Sequence, residues 1–330
     1  DLSFYADRIT LSADYYWKQT TDLLATFGIP MTAGYGNAGV TLNFGQLMNE
    51  GIEASFTSHN ITGALKWTTD FSFTSNRNKI VNIGDYDDPH ISSDALGNAQ
   101  NVATKGKPIW SIYGHEMIGI FQTPDQVTEH AFQAQGTAPG DVIFKDQPDE
   151  EGNTDGQIDA NDRIIIGNPH PDYVIGLTNS FHYKGIDLMI NANAVLGKDL
   201  YNATRSELDA MTWNRNSTMV ALDRWQVEGD DTNVPRAIKT DPNDNNRAST
   251  RFLENGSFLK IRDIVMGYTL PKKWMAVIKI EKMRVYCSLS NYFTFTEYSG
   301  YDPEIGDDKG VDYNPFPHAK TIVFGLNMDF

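Results

Sequence analysis

Between Glu151 and Asp162 the chain spaces oxygen-bearing side chains as a cation-binding loop does. With Glu151 at position 1, Asn153, Asp155, Asp159 and Asp162 fall at 3, 5, 9 and 12, Gly156 at 6, and Gln157 at the position that offers a carbonyl. Such donors converge on one hard cation, and a structural calcium ion is the candidate. Carboxylates gathered within ~4 Å repel by about 4 kcal/mol per pair at an effective dielectric near 20, which a cation relieves. Position 1 is Glu rather than Asp and position 12 is the shorter Asp, so Asp149 is an alternative ligand. The other reading is an Asp/Asn/Gly turn closed by side-chain-to-backbone hydrogen bonds, with Arg163 neutralising part of the charge.

Catalytic groupings do not emerge. The seven histidines form no His-Glu-x-x-His spacing, and neither a nucleophile elbow nor a phosphate loop is present. With 43 acids, any pair chosen as glycosidase carboxylates would be arbitrary. The expectation is a protein that is not an enzyme. Cys287 stands alone, which excludes an intrachain disulfide and a multi-cysteine zinc site. Flat rings in connecting segments are better placed for binding: Trp110, Tyr113, Tyr201, Trp213 and Tyr301 are the substrate-contact candidates, with Trp225, Tyr298 and Tyr313 near them. Such rings stack on sugar faces or hold peptide side chains, and equally form the aromatic girdles of membrane barrels. The net charge of -16 argues against a nucleic-acid partner, since phosphate backbones are held by Lys and Arg.

These residues must be positioned by strands. No run approaches the roughly 20 apolar residues of a membrane helix. Period-two alternation recurs instead. Over 322–330, Ile322, Phe324, Leu326, Met328 and Phe330 share one face, and Val323, Gly325, Asn327 and Asp329 the other. Nine residues at roughly 3.3 Å, tilted about 40°, rise about 23 Å, close to the apolar band of about 25 Å on a membrane barrel. Ile9 to Lys18, Leu65 to Phe73, Ile186 to Ala194 and Met283 to Phe293 alternate likewise, and weaker candidates lie near 51–58, 173–183 and 259–270. The mean hydropathy of -0.42 is compatible with this, because only every second strand residue need be apolar.

A soluble sandwich alternates as well, but the connections discriminate. Short ones (6–8, 59–63, 183–185, 271–281) take turns with long ones (20–50, 77–171, 197–256, 299–317). Tight periplasmic turns and extended outer loops give that asymmetry, and the longest loop is expected to fold on itself. Counting a partial strand at residues 1–4, the expectation is about nine strands of a transmembrane antiparallel all-β barrel, with the apolar face in outer-membrane lipid. An odd count and two open edges imply further strands upstream, and the absence of a signal peptide agrees with a fragment.

Asn49-Glu50-Gly51-Ile52-Glu53, Gly106-Lys107-Pro108, Tyr113-Gly114 and Gly119-Ile120-Phe121-Gln122-Thr123 resemble segments of the SusC/RagA-like outer-membrane proteins of Bacteroidetes. So do Pro139-Gly140-Asp141, Asp146, the acidic loop through Asp162-Arg163, and Ile166-Gly167-Asn168-Pro169. Arg224-Trp225, the segment from Ser257 to Arg262, Gly267-Tyr268-Thr269-Leu270-Pro271, the run from Tyr298 through Asp302-Pro303-Glu304 and the terminal Phe330 complete the resemblance, which runs along nearly the whole chain. The run 147–151 departs from the usual shorter acidic spacing.

The resemblance implies that residues 1–330 are the C-terminal part of a plugged, 22-stranded TonB-dependent barrel in the outer membrane of a Gram-negative bacterium. The plug and TonB-contacting segment would lie outside the chain. It further implies a SusD-like surface lipoprotein as a lid, and energised import of an oligosaccharide or an oligopeptide without a required cofactor. Two other readings stay open: a siderophore or cobalamin receptor, and a secreted β-rich glycan-binding or adhesion protein.

Overall fold

The computed structural model describes residues 1–28, 39–83, 90–93, 100–212, 216–278, 280–304 and 309–330. Its frame is one nine-stranded sheet in which each strand pairs antiparallel with its sequence neighbour. The strands are β1 (Leu2–Phe4), β2 (Ile9–Gly28), β3 (Gly39–Thr62), β4 (Leu65–Asn82), β5 (Tyr173–Tyr183), β6 (Ile186–Leu196), β7 (Phe258–Thr269), β8 (Lys282–Thr296) and β9 (Thr321–Asp329). All nine strands expected from alternation are present, and so is the alternation of short and long connections.

Register converts alternation within a strand into two surfaces. Residues paired across neighbouring strands share a face, and one row reads Leu11, Phe56, Phe71, Leu177, Ala192, Ile261, Phe293 from β2 to β8. The adjacent row on the opposite face reads Ser12, Ser55, Ser72, Gly176, Asn193, Lys260, Thr294. An apolar outside and a polar lumen are what a spanning barrel requires. The sheet is the wall of a transmembrane antiparallel barrel.

One row breaks the outer pattern: Ser58, Thr69 and Asn179 lie side by side on the apolar face. Each polar group is answered locally. Asn179 Oδ1 accepts from Trp67 Nε1 at 2.9 Å and from Thr69 Oγ1 at 2.7 Å, while Asn60 Nδ2 donates to Thr69 Oγ1 at 2.8 Å and Ser58 Oγ to Asn60 Oδ1 at 2.9 Å. In lipid an unanswered polar group is costly, so the cluster satisfies itself. On the lumen face Gly51 lets the Tyr16 ring lie flat: a Cβ there would sit 2.3 Å from the Ser75 carbonyl oxygen and 2.6 Å from the Tyr16 hydroxyl.

Two boundaries differ from expectation. The connection expected over 20–50 is largely paired strand, because β2 and β3 continue to Gly28 and Gly39 past bulges near Thr20 and Leu23. A ladder beyond the membrane needs no apolar face, so alternation did not reveal it. The short connection 271–281 contains a helix, Lys272–Ile278.

The long connections fold on themselves, as expected of the longest. Ile164–Gly167, Ser111–Gly114, Gln100–Ala103 and His90–Ser93 make a four-stranded sheet in that order, and Leu253–Asn255, Asp199–Asn202 and Val311–Asp312 a three-stranded one. One loop core gathers Ile112, Tyr201, Ala203, Phe252 and Val311; a second gathers Ile120, Val142, Phe144 and Ile158. Buried Asp141 ties three segments together. It accepts from Arg236 at 2.8 and 2.9 Å, from Asn245 Nδ2 at 3.0 Å and from the Ala138 amide at 2.9 Å.

Candidate functional site in the outer loops

The helix Ala203–Leu208 carries Arg205, which pairs with Asp209 one turn on. Arg205 Nε lies 3.0 Å from Asp209 Oδ2, its Nη1 2.8 Å from Glu254 Oε1, and its Nη2 donates to the Arg251 carbonyl at 3.0 Å. Neighbouring Arg251 is buried and donates to the carbonyls of Asn245 and Asp209, each at 3.2 Å. Burial pushes Arg251 down to about 10, with Asp209 opposing, so it remains a cation at neutral pH. Two fixed cations and the carboxylates around them thus form a neutralised ridge.

Clefts of about 310 and 340 Å³ flank this ridge and share Arg205, Asp209 and Val220 as lining. The first is bounded by Asn202, Thr204, Asp312 and Tyr301, a residue that is 79% exposed. Burial pushes the Asp312 carboxyl up against the opposing hydrogen bond from the Tyr298 hydroxyl. Hydrogen-bonding groups beside an exposed ring suit a polar ligand held by its edge and covered by its face.

A clamp fixes Tyr301. The following turn is held by Lys260 of β7, which is 1% exposed and reaches Asp302 at 3.0 Å and Glu304 at 2.8 Å. Arg262 also pairs with Glu304, Lys198 Nζ donates to the Pro303 carbonyl at 2.7 Å, and His318 Nδ1 lies 3.0 Å from Asp302 Oδ2. Among the described residues, Asp302, Glu304 and His318 are the one trio of potential ligands whose donor atoms lie within 4.8 Å of one another. Lys260 already supplies a cation there.

The ring candidates scatter. Tyr301 lines a cleft; Trp110 is half-buried with Lys309 Nζ 5.2 Å above its ring; Tyr113 is half-buried on the strand Ser111–Gly114. Tyr201, expected to meet substrate, is instead fully buried 6.1 Å from the Phe252 ring in the first loop core. Its role is packing. Tyr298 is likewise buried, and Trp213 lies outside the described residues. Arg205, Asp209 and Glu254 escape a sequence reading, because only the i, i+4 spacing of the first two hints at a pair.

In the acidic loop the carboxylates turn onto amides. Asp155 accepts from the Gln157 amide at 2.8 Å, Asp159 from Asn161 at 2.7 Å, and buried Asp162 from Gln147 and Asp159, each at 2.7 Å. Asp149, the alternative ligand, holds the amides of Glu151 and Asn153 at 2.9 and 2.8 Å. Asp146 contributes one oxygen to Gly156 and keeps Oδ1 buried without a hydrogen-bond partner.

No family model matches the chain. Along its entire length, however, it is 33% identical to TonB-dependent receptor P3 of Formosa agariphila and 29% identical to TonB-dependent receptor SusC of Bacteroides thetaiotaomicron. It spans only 33% and 31% of those relatives. Among solved structures it is similar to a chain of the RagAB peptide transporter, with a TM-score of 0.79 and 22% identity over 99% of this chain and 34% of that one. That likeness is one of fold.

Proposed function

We propose, from the premise that this chain is SusC/RagA-like from end to end, that it forms the C-terminal wall and outer loops of a TonB-dependent importer in the outer membrane. The carrying observation is the continuous apolar row from Leu11 to Phe293 beside a polar row, in a chain whose relatives are receptors along all of it. A plug and a TonB-contacting segment belong to parts of the protein outside residues 1–330. The cargo is an oligosaccharide or an oligopeptide, and a SusD-like lipoprotein covers the outer loops. Exposed Tyr301 and half-buried Trp110 are the rings that support substrate contact at those loops.

Affinity purification of the full-length receptor from its native membrane tests this reading. A co-purifying surface lipoprotein and loss of oligosaccharide or peptide uptake on gene deletion are expected. An isolated barrel that takes up ferric chelates or cobalamin would favour the other receptor reading, and a receptor monodisperse without detergent would remove the barrel. A structural calcium ion in the acidic loop, held by Glu151, Asn153, Asp155, Gln157, Asp159 and Asp162, is part of the same proposal, supported by the spacing of those oxygen donors. Calcium should then raise the thermal midpoint of the wild-type receptor and not of Asp155→Asn/Asp159→Asn; equal midpoints in calcium and in chelator would refute it.

A further inference from the structure

The short connections carry charge of the opposite sign to the long ones. Arg8, Lys184, Lys272, Lys273 and Lys279 stand there against only Asp7 and Glu281, whereas the long connections hold most of the acids. The basic residues concentrate in the connection from β7 to β8, where Lys272–Ile278 is helical. Lys272 and Lys273 are exposed, Met275 is buried, and Trp274 keeps 53% of its surface open.

This helix hangs directly from the wall. The Leu270 amide donates to the Met283 carbonyl at 2.9 Å, and the Trp274 amide to the Pro271 carbonyl at 2.9 Å. A few residues away, the lipid-facing stripe runs through Tyr268, Val285 and Leu326, paired across β7, β8 and β9, and reaches its last paired row at Met283 and Met328. An exposed Trp at the edge of an apolar stripe suits the zone between acyl chains and headgroups. Lysines one and two positions before such a Trp suit the phosphates of that zone, where each basic residue contributes about fivefold to binding at an anionic surface.

We propose that Lys272–Ile278 is an interfacial anchor, with Trp274 seated in the periplasmic leaflet and Lys272 and Lys273 holding an anionic phospholipid. The proposal rests on the barrel reading, which puts the short connections at the periplasmic side. Continuity with the lipid-facing stripe and charge complementarity select lipid as the occupant.

The full-length receptor, reconstituted in vesicles of phosphatidylethanolamine with or without phosphatidylglycerol, provides the test. Bromine is placed on the acyl chains of one lipid at a time, and the emission of Trp274 is read as the difference between wild type and Trp274→Phe. We expect stronger quenching by brominated phosphatidylglycerol than by brominated phosphatidylethanolamine at equal mole fraction. Lys272→Gln/Lys273→Gln should abolish that preference, and the charge-reversed Lys272→Glu/Lys273→Glu should invert it, each variant retaining the heat-modifiable band of a folded barrel. Trp274 emission unaffected by either lipid would overturn the anchor, and equal quenching by both would overturn the anionic site. A receptor that never enters vesicles would instead defeat the barrel reading, so the two failures are distinguishable.

Discussion

Asn179 shows how much a single side chain on the lipid face depends on its neighbours. Its Oδ1 is the acceptor for both Trp67 and Thr69, so Asn179→Ala strands two donors in a low-dielectric surface. Leaving a buried donor unanswered costs about 1–3 kcal/mol. Asn179→Ala should therefore lower the unfolding midpoint in denaturant, while Asn179→Ala combined with Trp67→Phe, which removes one of the two stranded donors, should recover part of the loss. Lys260 is a sharper case, because its removal leaves two carboxylates facing each other. Lys260→Met should cost about 3–5 kcal/mol, as breaking buried ion pairs does, and open the Tyr301 turn to protease. The same clamp sets a pH dependence. Burial tends to raise the Asp302 carboxyl, but hydrogen bonds from Lys260 and His318 and the Lys260 charge hold it below the ordinary carboxylate range. A depressed folded value means that the stabilisation is complete above the unfolded pKa, about 3.9 for Asp, and is lost as pH falls through the folded one. Protease protection of the turn should fall on acidification below about pH 4, with a weaker fall at that step in Asp302→Asn.

At the scale of the strand, position parity decides the outcome. Phe324 and Val323 are sequence neighbours in the middle of β9, yet Phe324 pairs with Cys287 on the apolar face and Val323 with Ser288 on the polar one. A Lys facing lipid near the midplane costs about 2–4 kcal/mol, whereas a lumen position tolerates charge. Phe324→Lys should reduce the folded fraction recovered from membranes, and Val323→Lys should leave it near wild type; equal effects would reject the alternation. This parity also explains what could be read from the sequence. Every wall strand was legible because lipid on one side and water on the other force a period of two. The reach of β2 and β3 past Thr20 and Glu50 was not, since outside the membrane both faces may be polar. Tyr201 and Tyr301 look alike as loop tyrosines, and only the folding of three separate connections buries one and exposes the other. The partners of Lys260 and Arg205 were illegible for the same reason: Glu304 and Glu254 come from distant segments with no repeating spacing.

The whole sheet poses a problem that none of its strands can solve alone. β1 and β9 are its terminal strands and do not pair with each other, so each has one edge without a strand partner in the nine-stranded order. In lipid those amides and carbonyls require a partner, which in a larger barrel strands outside residues 1–330 would supply. The similarity to relatives about three times longer supplies where such strands would be found. A discriminating comparison follows for protein refolded into detergent. Full-length receptor should migrate as a compact band unheated and shift on boiling, whereas residues 1–330 alone should show no heat-modifiable band and should aggregate through their open edges. The loop cores, with Ile112, Tyr201 and Phe252 fully buried, lie in the folded connections and add no strand to the nine-stranded order. A heat-modifiable, monomeric form of the isolated chain would mean that β1 and β9 can close on each other, and the nine strands would then be a complete barrel instead of part of a larger one.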